Sequence, residues 1–338
     1  MMDRRRFCAA AIAALFGTRR LFAEPEAVTQ AADVEKQVAD LMSLMNQTAG
    51  GKQFWADVWF FHDWRIQCHA LTGHYRLLDG SNRRHTSGTY EACRDKMDEI
   101  RTRDKLPSME GKAIVVLHGL FRTRSCMSSL GDALSKSGQY KTFCMGYPTT
   151  RGSVESHARS LDNVICSLEG ISEINFIAHS LGNLVVRHWL SDFAAAERTL
   201  PKGQSFGRMV MLAPPNRQPK LATILVRGAV ASFVAGPAAE AMASGWEKLE
   251  PKLATPHFEF GVLAGGKGDG KGYNPLLPGD DDGVVTVEST RLPGARDFRL
   301  VPVLHSFFMN DKRVHDYATR FFEQGHFETV ETRQPIDG

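Results

Sequence analysis

From residue 113 onward, short apolar runs alternate with stretches whose apolar positions recur at helical spacing. That alternation is the pattern of βαβ units feeding a mostly parallel sheet. Strands are predicted over Ala113–Leu117, Lys141–Met145, Ile174–Ala178, Arg208–Leu212, Glu259–Ala264 and Arg299–Val303. Helices are predicted over Met127–Ser137, Val154–Leu168, Leu181–Phe193 and Lys312–Gln324. The segment 221–249 is apolar and alanine-rich and breaks the rhythm. Ile224 to Val226, Val230, Phe233 and Val234 spread over more than one helical face. Two readings stay open there: a lid over an apolar cleft, spanning 217–250, or cap helices packed on the core. Residues 265–283 are a Gly- and Asp-rich loop.

Before residue 112 the pattern differs. Residues 26–46 have Val34, Val38, Leu41 and Met45 on one helical face, and 54–64 are rich in aromatics. Trp64, Ile66 and Cys68 alternate with polar residues as in a strand, and turns at Thr72-Gly73 and Asp79-Gly80 predict a small antiparallel unit. A helix carrying Tyr90, Cys93, Met97 and Ile100 follows. The expected organisation is an N-terminal α+β extension over 24–111 and an α/β domain over 112–338.

Composition narrows the class. With 338 residues, 43% hydrophobic and 23% charged, the chain is globular rather than disordered, collagen-like or coiled-coil. The net charge of +3 is concentrated at the start, where Arg4, Arg5, Arg6, Arg19 and Arg20 face only Asp3. The remainder is close to neutral, so no nucleic-acid-binding surface is implied. Residues 1–23 read as a signal peptide: a basic start, an apolar run from Phe7 to Gly17 too short to span a bilayer, then Leu21-Phe22-Ala23 before an acidic stretch. Arg4-Arg5-Arg6-Phe7 fits the twin-arginine pattern, which predicts export to the periplasm or beyond with no transmembrane span in the mature chain. Beyond Cys8, Cys68, Cys93, Cys126, Cys144 and Cys166 lack any Cys-x-x-Cys spacing, so no zinc or redox motif is present; Cys68 and Cys93 could pair outside the cytoplasm.

Three elements carry chemistry. Ile174 to Gly182, reading Ile-Asn-Phe-Ile-Ala-His-Ser-Leu-Gly, is a strand turning sharply into a helix with Ser180 at the turn. Small residues at Ala178 and Gly182 permit that tight geometry, which projects a serine hydroxyl and leaves helix N–H groups facing developing negative charge. An apolar strand ending in His118-Gly119-Leu120 offers a second N–H, so Leu120 and Leu181 are the candidate backbone donors for an oxyanion. Their apolar side chains are expected to help bind an acyl chain. Late in the chain come Asp280-Asp281-Asp282-Gly283-Val284-Val285 and then His305-Ser306. A serine nucleophile needs a base and the base an orienting acid, and Ser180, Asp282 and His305 stand in the order Ser, Asp, His. Asp281 is the alternative acid. His118 and His179 read as structural.

These motifs resemble the α/β-hydrolase superfamily, and within it bacterial triacylglycerol-lipase-like and esterase-like serine hydrolases, from about Lys112 to Phe327. One departure is Ala178, where the family pattern has glycine. The resemblance implies the α/β-hydrolase fold, a central sheet with helices on both faces and a helical cap insertion. It selects Asp282 as the triad acid and an ester or lipid-like small molecule as substrate, with no cofactor or catalytic metal. Thioesterase or acyltransferase chemistry would use the same residues, and a catalytically silent scaffold binding lipid or protein is the alternative of another class. Two other motifs lack context. Gly265 to Gly272 nearly spells a phosphate-binding loop but has Gly272 in place of Ser/Thr and no helix after it, and His62, Cys68, His69 and His74 fit no metal spacing.

Overall fold

The computed structural model describes residues 51–218 and 236–337, all within one compact unit, 46–338. The predicted signal peptide, the predicted helix over 26–46 and residues 219–235 of the possible lid lie outside the described residues.

Six parallel strands form the central sheet: β5 (Gly111–Leu117), β6 (Tyr140–Met145), β7 (Ile171–His179), β8 (Ser205–Leu212), β9 (Phe260–Gly265) and β10 (Asp297–Val301). Their order is β10-β9-β8-β7-β5-β6. The last strand begins two residues earlier than the pattern predicts, because Phe298 is buried on it as well as Val301.

Alternation along these strands sorts side chains onto two buried faces. Ala113, Val115 and Leu117 of β5 join Met209 and Met211 of β8 in one core, whereas Ile114 and Val116 join Val210 and Leu212 in the other. The first core is covered by α3 (Val154–Ser167) and α4 (Leu181–Ala195). The second is covered by α2 (Ser128–Ser135) and by α7 (Lys312–Gln324), whose Val314, Ala318, Phe321 and Phe322 are all buried. The sheet is thus parallel with helices on both faces.

The described part of the extension is a four-stranded antiparallel sheet, β1 (Trp55–Phe61), β2 (Trp64–His69), β3 (Tyr75–Leu78) and β4 (Arg84–Gly88), with α1 (Tyr90–Asp104) beside it. Cys93, Met97 and Ile100 of α1 are buried as their spacing predicts. Its apolar residues are continuous with the first core: Val58 to Phe61 pack in the same cluster as Phe143, Val164 and Ile165. All five described cysteines are free, so Cys68 and Cys93 are not paired.

Within 217–250, α5 (Pro237–Ala243) and α6 (Trp246–Leu249) bury Ala238, Met242, Trp246 and Leu249 in the first core. The described part of that insertion is therefore packed structure. Arg187 of α4 braces the chain after it, donating to the carbonyls of Leu253 and Ala254 at 3.1 and 2.9 Å.

A buried carboxylate joins the two sheets. Asp57 of β1 is fully buried, and its Oδ2 accepts the N–H of Gly146 at 2.6 Å while its own N–H donates to the Gly146 carbonyl at 2.8 Å. Oδ1 accepts from Gln67 at 2.7 Å, and the Arg65 guanidinium lies 3.5 Å away. Removing one partner of such a buried pair leaves the other charge uncompensated. Asp57→Ala is expected to destabilise the protein by about 3–5 kcal/mol, read as a lowered urea midpoint. A loss below about 1 kcal/mol, the scale of an exposed ion pair, would show that this carboxylate does not join the sheets.

Candidate active site

β7 ends at His179 and α4 begins at Leu181, with Ser180 as the single residue between them. Ser180 has φ 52° and ψ −119°, a left-handed conformation that costs a side-chain-bearing residue strain. Its neighbours hold it there: the Ser180 N–H donates to the Leu212 carbonyl at 2.9 Å, and the Asn183 amide donates to the carbonyls of Ser180 and Leu212. The hydroxyl makes no capping bond to its helix, so the simple reading of Ser180 as an N-cap serine does not describe it.

Close approach explains the glycines. A side chain at Gly182 would start 2.9 Å from Leu117 Cβ, so α4 enters directly against β5. At Gly119 it would meet the His179 ring at 2.8 Å and Ser180 Cβ at 3.2 Å, which packs the loop after β5 onto the serine turn. The Leu120 and Leu181 N–H groups make no hydrogen bond with the described chain, whereas Phe121 N–H is taken by Thr149 Oγ1 at 3.1 Å. The Leu181 side chain is fully buried in the core and cannot line an acyl pocket, contrary to expectation; Leu120 is only partly buried.

The three consecutive aspartates have separate partners. Asp280 accepts the N–H groups of Lys267 and Gly268 at 2.8 and 2.7 Å, so the phosphate-loop-like glycine run is occupied by the protein's own carboxylate. Asp281 accepts from Asn274 and Gly283 N–H at 3.0 and 2.6 Å. Asp282 takes the Val284 and Val285 N–H groups on Oδ1, leaving Oδ2 for His305 Nδ1 at 2.7 Å. His305 N–H also donates to the Asp282 carbonyl at 2.9 Å. A carboxylate only accepts, so Nδ1 carries the ring proton and Nε2 is left basic.

His179 ties the serine turn to His305. Its Nε2–H donates to the His305 carbonyl at 3.0 Å, with ring centroids 4.6 Å apart, while Nδ1 is buried without a partner among the described residues. His118 donates from Nδ1 to the Gly119 carbonyl at 3.0 Å and stacks on Tyr147 at 4.2 Å. Tyr147 also lies against His157 at 4.9 Å.

A strained serine turn after β7, an aspartate after β9 and a histidine after β10, at one end of a parallel sheet, define the architecture. The fold is that of an α/β hydrolase. The structure sets Asp282 against His305 and joins His305 to the turn that carries Ser180 through His179, whereas Asn183, Asn274, Thr149 and Gln53 carry no motif signal. Their amides and hydroxyls are ordinary loop and helix residues in sequence, and only tertiary hydrogen bonds give them roles.

No protein-family model matches the chain, and no curated protein matches its sequence. Among solved structures, the chain is similar to a Bacillus licheniformis lipase in propeptide form at 19% identity, covering 60% of this chain and 48% of that one with a TM-score of 0.45. The matched region thus spans about half of that lipase. It is also similar to a Listeria innocua gene product at 15% identity, with 68% and 99% coverage and a TM-score of 0.45. A third is a metagenomic carboxyl esterase, at 20% identity, with 59% and 65% coverage and a TM-score of 0.41.

Burial pushes His118 down to about 4, His157 to about 3 and His179 well below the ordinary 6.5, so all three stay neutral in the folded protein. Between about pH 6.5 and 4 the unfolded chain binds protons that the folded chain refuses, so stability falls on acidification. Asp281, raised to about 6 mainly by burial, opposes this over part of the window, because there the folded chain binds its proton first. Three imidazoles outweigh one carboxyl. The urea midpoint is expected to drop from pH 7 to pH 4.5, with a shallower drop in His157→Phe; a flat or rising midpoint would contradict the burial argument.

Proposed function

We propose that the protein is a serine hydrolase of carboxylic esters acting through an acyl-enzyme. The observation that carries the reading is the strained Ser180 turn beside an Asp282–His305 pair in which only Nε2 is free to take a proton. Ser180 Oγ attacks the ester carbonyl while His305 Nε2 takes its proton. Asp282 keeps the imidazole in the required tautomer and offsets the imidazolium that forms. The Leu120 and Leu181 N–H groups hold the developing oxyanion. His305 then protonates the departing alcohol, and water, activated by the same nitrogen, cleaves the acyl-Ser180 ester.

Oxygen esters with a moderately apolar acyl group are the first substrate class. Free thiol from a thioester, or transfer of the acyl group to a second alcohol, would redirect the assignment to a thioesterase or acyltransferase. We also propose export of the protein, on the strength of Arg4-Arg5-Arg6-Phe7.

A fluorophosphonate probe is expected to label Ser180, with the adduct located by peptide mass and absent from Ser180→Ala. Asp282→Asn is expected to lower kcat by about 10⁴-fold. Asp281→Asn, whose amide oxygen can still accept from Asn274 and Gly283, is expected to label at the wild-type rate. No adduct on folded protein, joined to ligand binding without turnover, would favour the silent scaffold. For export, Arg4→Lys with Arg5→Lys is expected to hold the protein in the cytoplasm; unchanged export would exclude the twin-arginine route.

A further inference from the structure

From the described part of the extension, Gln53 reaches the loop that carries Leu120. It is 3% exposed, and its amide divides between two segments. Nε2 donates to the Arg122 carbonyl at 2.8 Å, while Oε1 accepts from Thr149 Oγ1 at 3.1 Å and from the Thr150 N–H at 3.4 Å. Thr149 is fully buried, and its Oγ1 accepts the Phe121 N–H at 3.1 Å.

The direction of each bond follows from the groups present. The Arg122 carbonyl can only accept, so the amide nitrogen of Gln53 must face it and Oε1 must face Thr149. The single hydroxyl proton of Thr149 goes to Oε1, which leaves an oxygen lone pair for Phe121. A flipped amide would set two acceptors against each other at Arg122. The network therefore has one arrangement.

That arrangement grips a strained turn. The Arg122 N–H closes on the Gly119 carbonyl at 3.3 Å, and Phe121 sits at φ 59°, a conformation that a side-chain-bearing residue holds only when its surroundings impose it. Thr149 holds the peptide group between Leu120 and Phe121 and Gln53 the one between Arg122 and Thr123, while the Arg122 N–H holds the Gly119 carbonyl of the peptide group that carries the Leu120 N–H.

Resting on the hydrolase reading, we infer that Gln53 and Thr149 are positioning residues for the oxyanion donor at Leu120. The role gives the N-terminal extension a direct part in the rate of acyl transfer. An N–H displaced by about 1 Å forfeits much of its preference for the tetrahedral oxyanion over the planar carbonyl.

The test compares Thr149→Val, which keeps the shape and removes the hydroxyl, with Thr149→Ser, which keeps the hydroxyl. Each is assayed for kcat and KM on p-nitrophenyl butyrate and for amide hydrogen exchange across residues 119–122. Thr149→Val is expected to lower kcat about 10- to 100-fold, with KM within about twofold, on the scale of a misaligned donor. The Phe121 amide is expected to exchange faster in that variant. Thr149→Ser is expected to restore both readouts, and Gln53→Met to reproduce the loss, which also serves should Thr149→Val fail to fold. Wild-type kcat in Thr149→Val, an equal loss in Thr149→Ser, or a change confined to KM would overturn the positioning role alone. A wild-type enzyme that neither turns over esters nor labels at Ser180 would overturn the hydrolase reading and this role with it.

Discussion

A parallel sheet buried on both faces has no room for polar chemistry except at its strand ends, and that constraint organises this molecule. The strand order β8-β7-β5-β6 reverses direction between β5 and β7: the chain leaves β5 toward β6 and leaves β7 toward β8. In open α/β sheets such a reversal is where the loops at the carboxyl ends of the strands diverge and ligands bind. The loop after β5 carries Leu120 and the loop after β7 is the Ser180 turn, so the two candidate oxyanion donors lie on either side of that reversal. The Asp282 and His305 loops come from β9 and β10, on the far side of β8, and must reach back toward it.

Reaching back requires irregular backbone, and irregular buried backbone needs hydrogen-bond partners. The aspartate run supplies them. Asp280 satisfies the N–H groups of Lys267 and Gly268 and Asp281 those of Asn274 and Gly283, and Asp282 satisfies two more before it meets His305. In sequence the three are interchangeable. Their distinction comes from which amides each carboxylate meets after the loop has closed, and the family resemblance rather than spacing selects Asp282.

Legibility in the sequence follows the range of the interaction responsible. The central strands and α7 are read from local periodicity because burial on known faces imposes it, and Lys312–Gln324 matches to the residue. The Ser180 turn is legible because its steric demands fall on neighbours in sequence. β1 is not, since Ala56 to Phe61 are buried on both sides and give a continuous run without alternation, with the charged Asp57 inside it. The boundary near residue 111 marks a change of pattern but not of packing, because Trp59 and Phe60 complete the core that α3 begins. Gln53 and Thr149 act across 96 residues of sequence through one hydrogen bond, and no local pattern encodes that.

On the hydrolase reading, the buried histidines around the serine acquire a common purpose. Acyl transfer places a positive charge on His305, and a second imidazolium at the 4.6 Å of the His179 ring would oppose it in a medium that screens poorly. Full burial keeps His179 neutral, and donation of its Nε2–H to the His305 carbonyl uses the one proton that it has. His118, stacked on Tyr147, and His157, tilted against the same ring, are neutral for the same reason. His305 differs from them in having Asp282 against Nδ1 and an edge open to solvent. Burial thus silences three of the four imidazoles, and a carboxylate reserves the fourth for proton transfer.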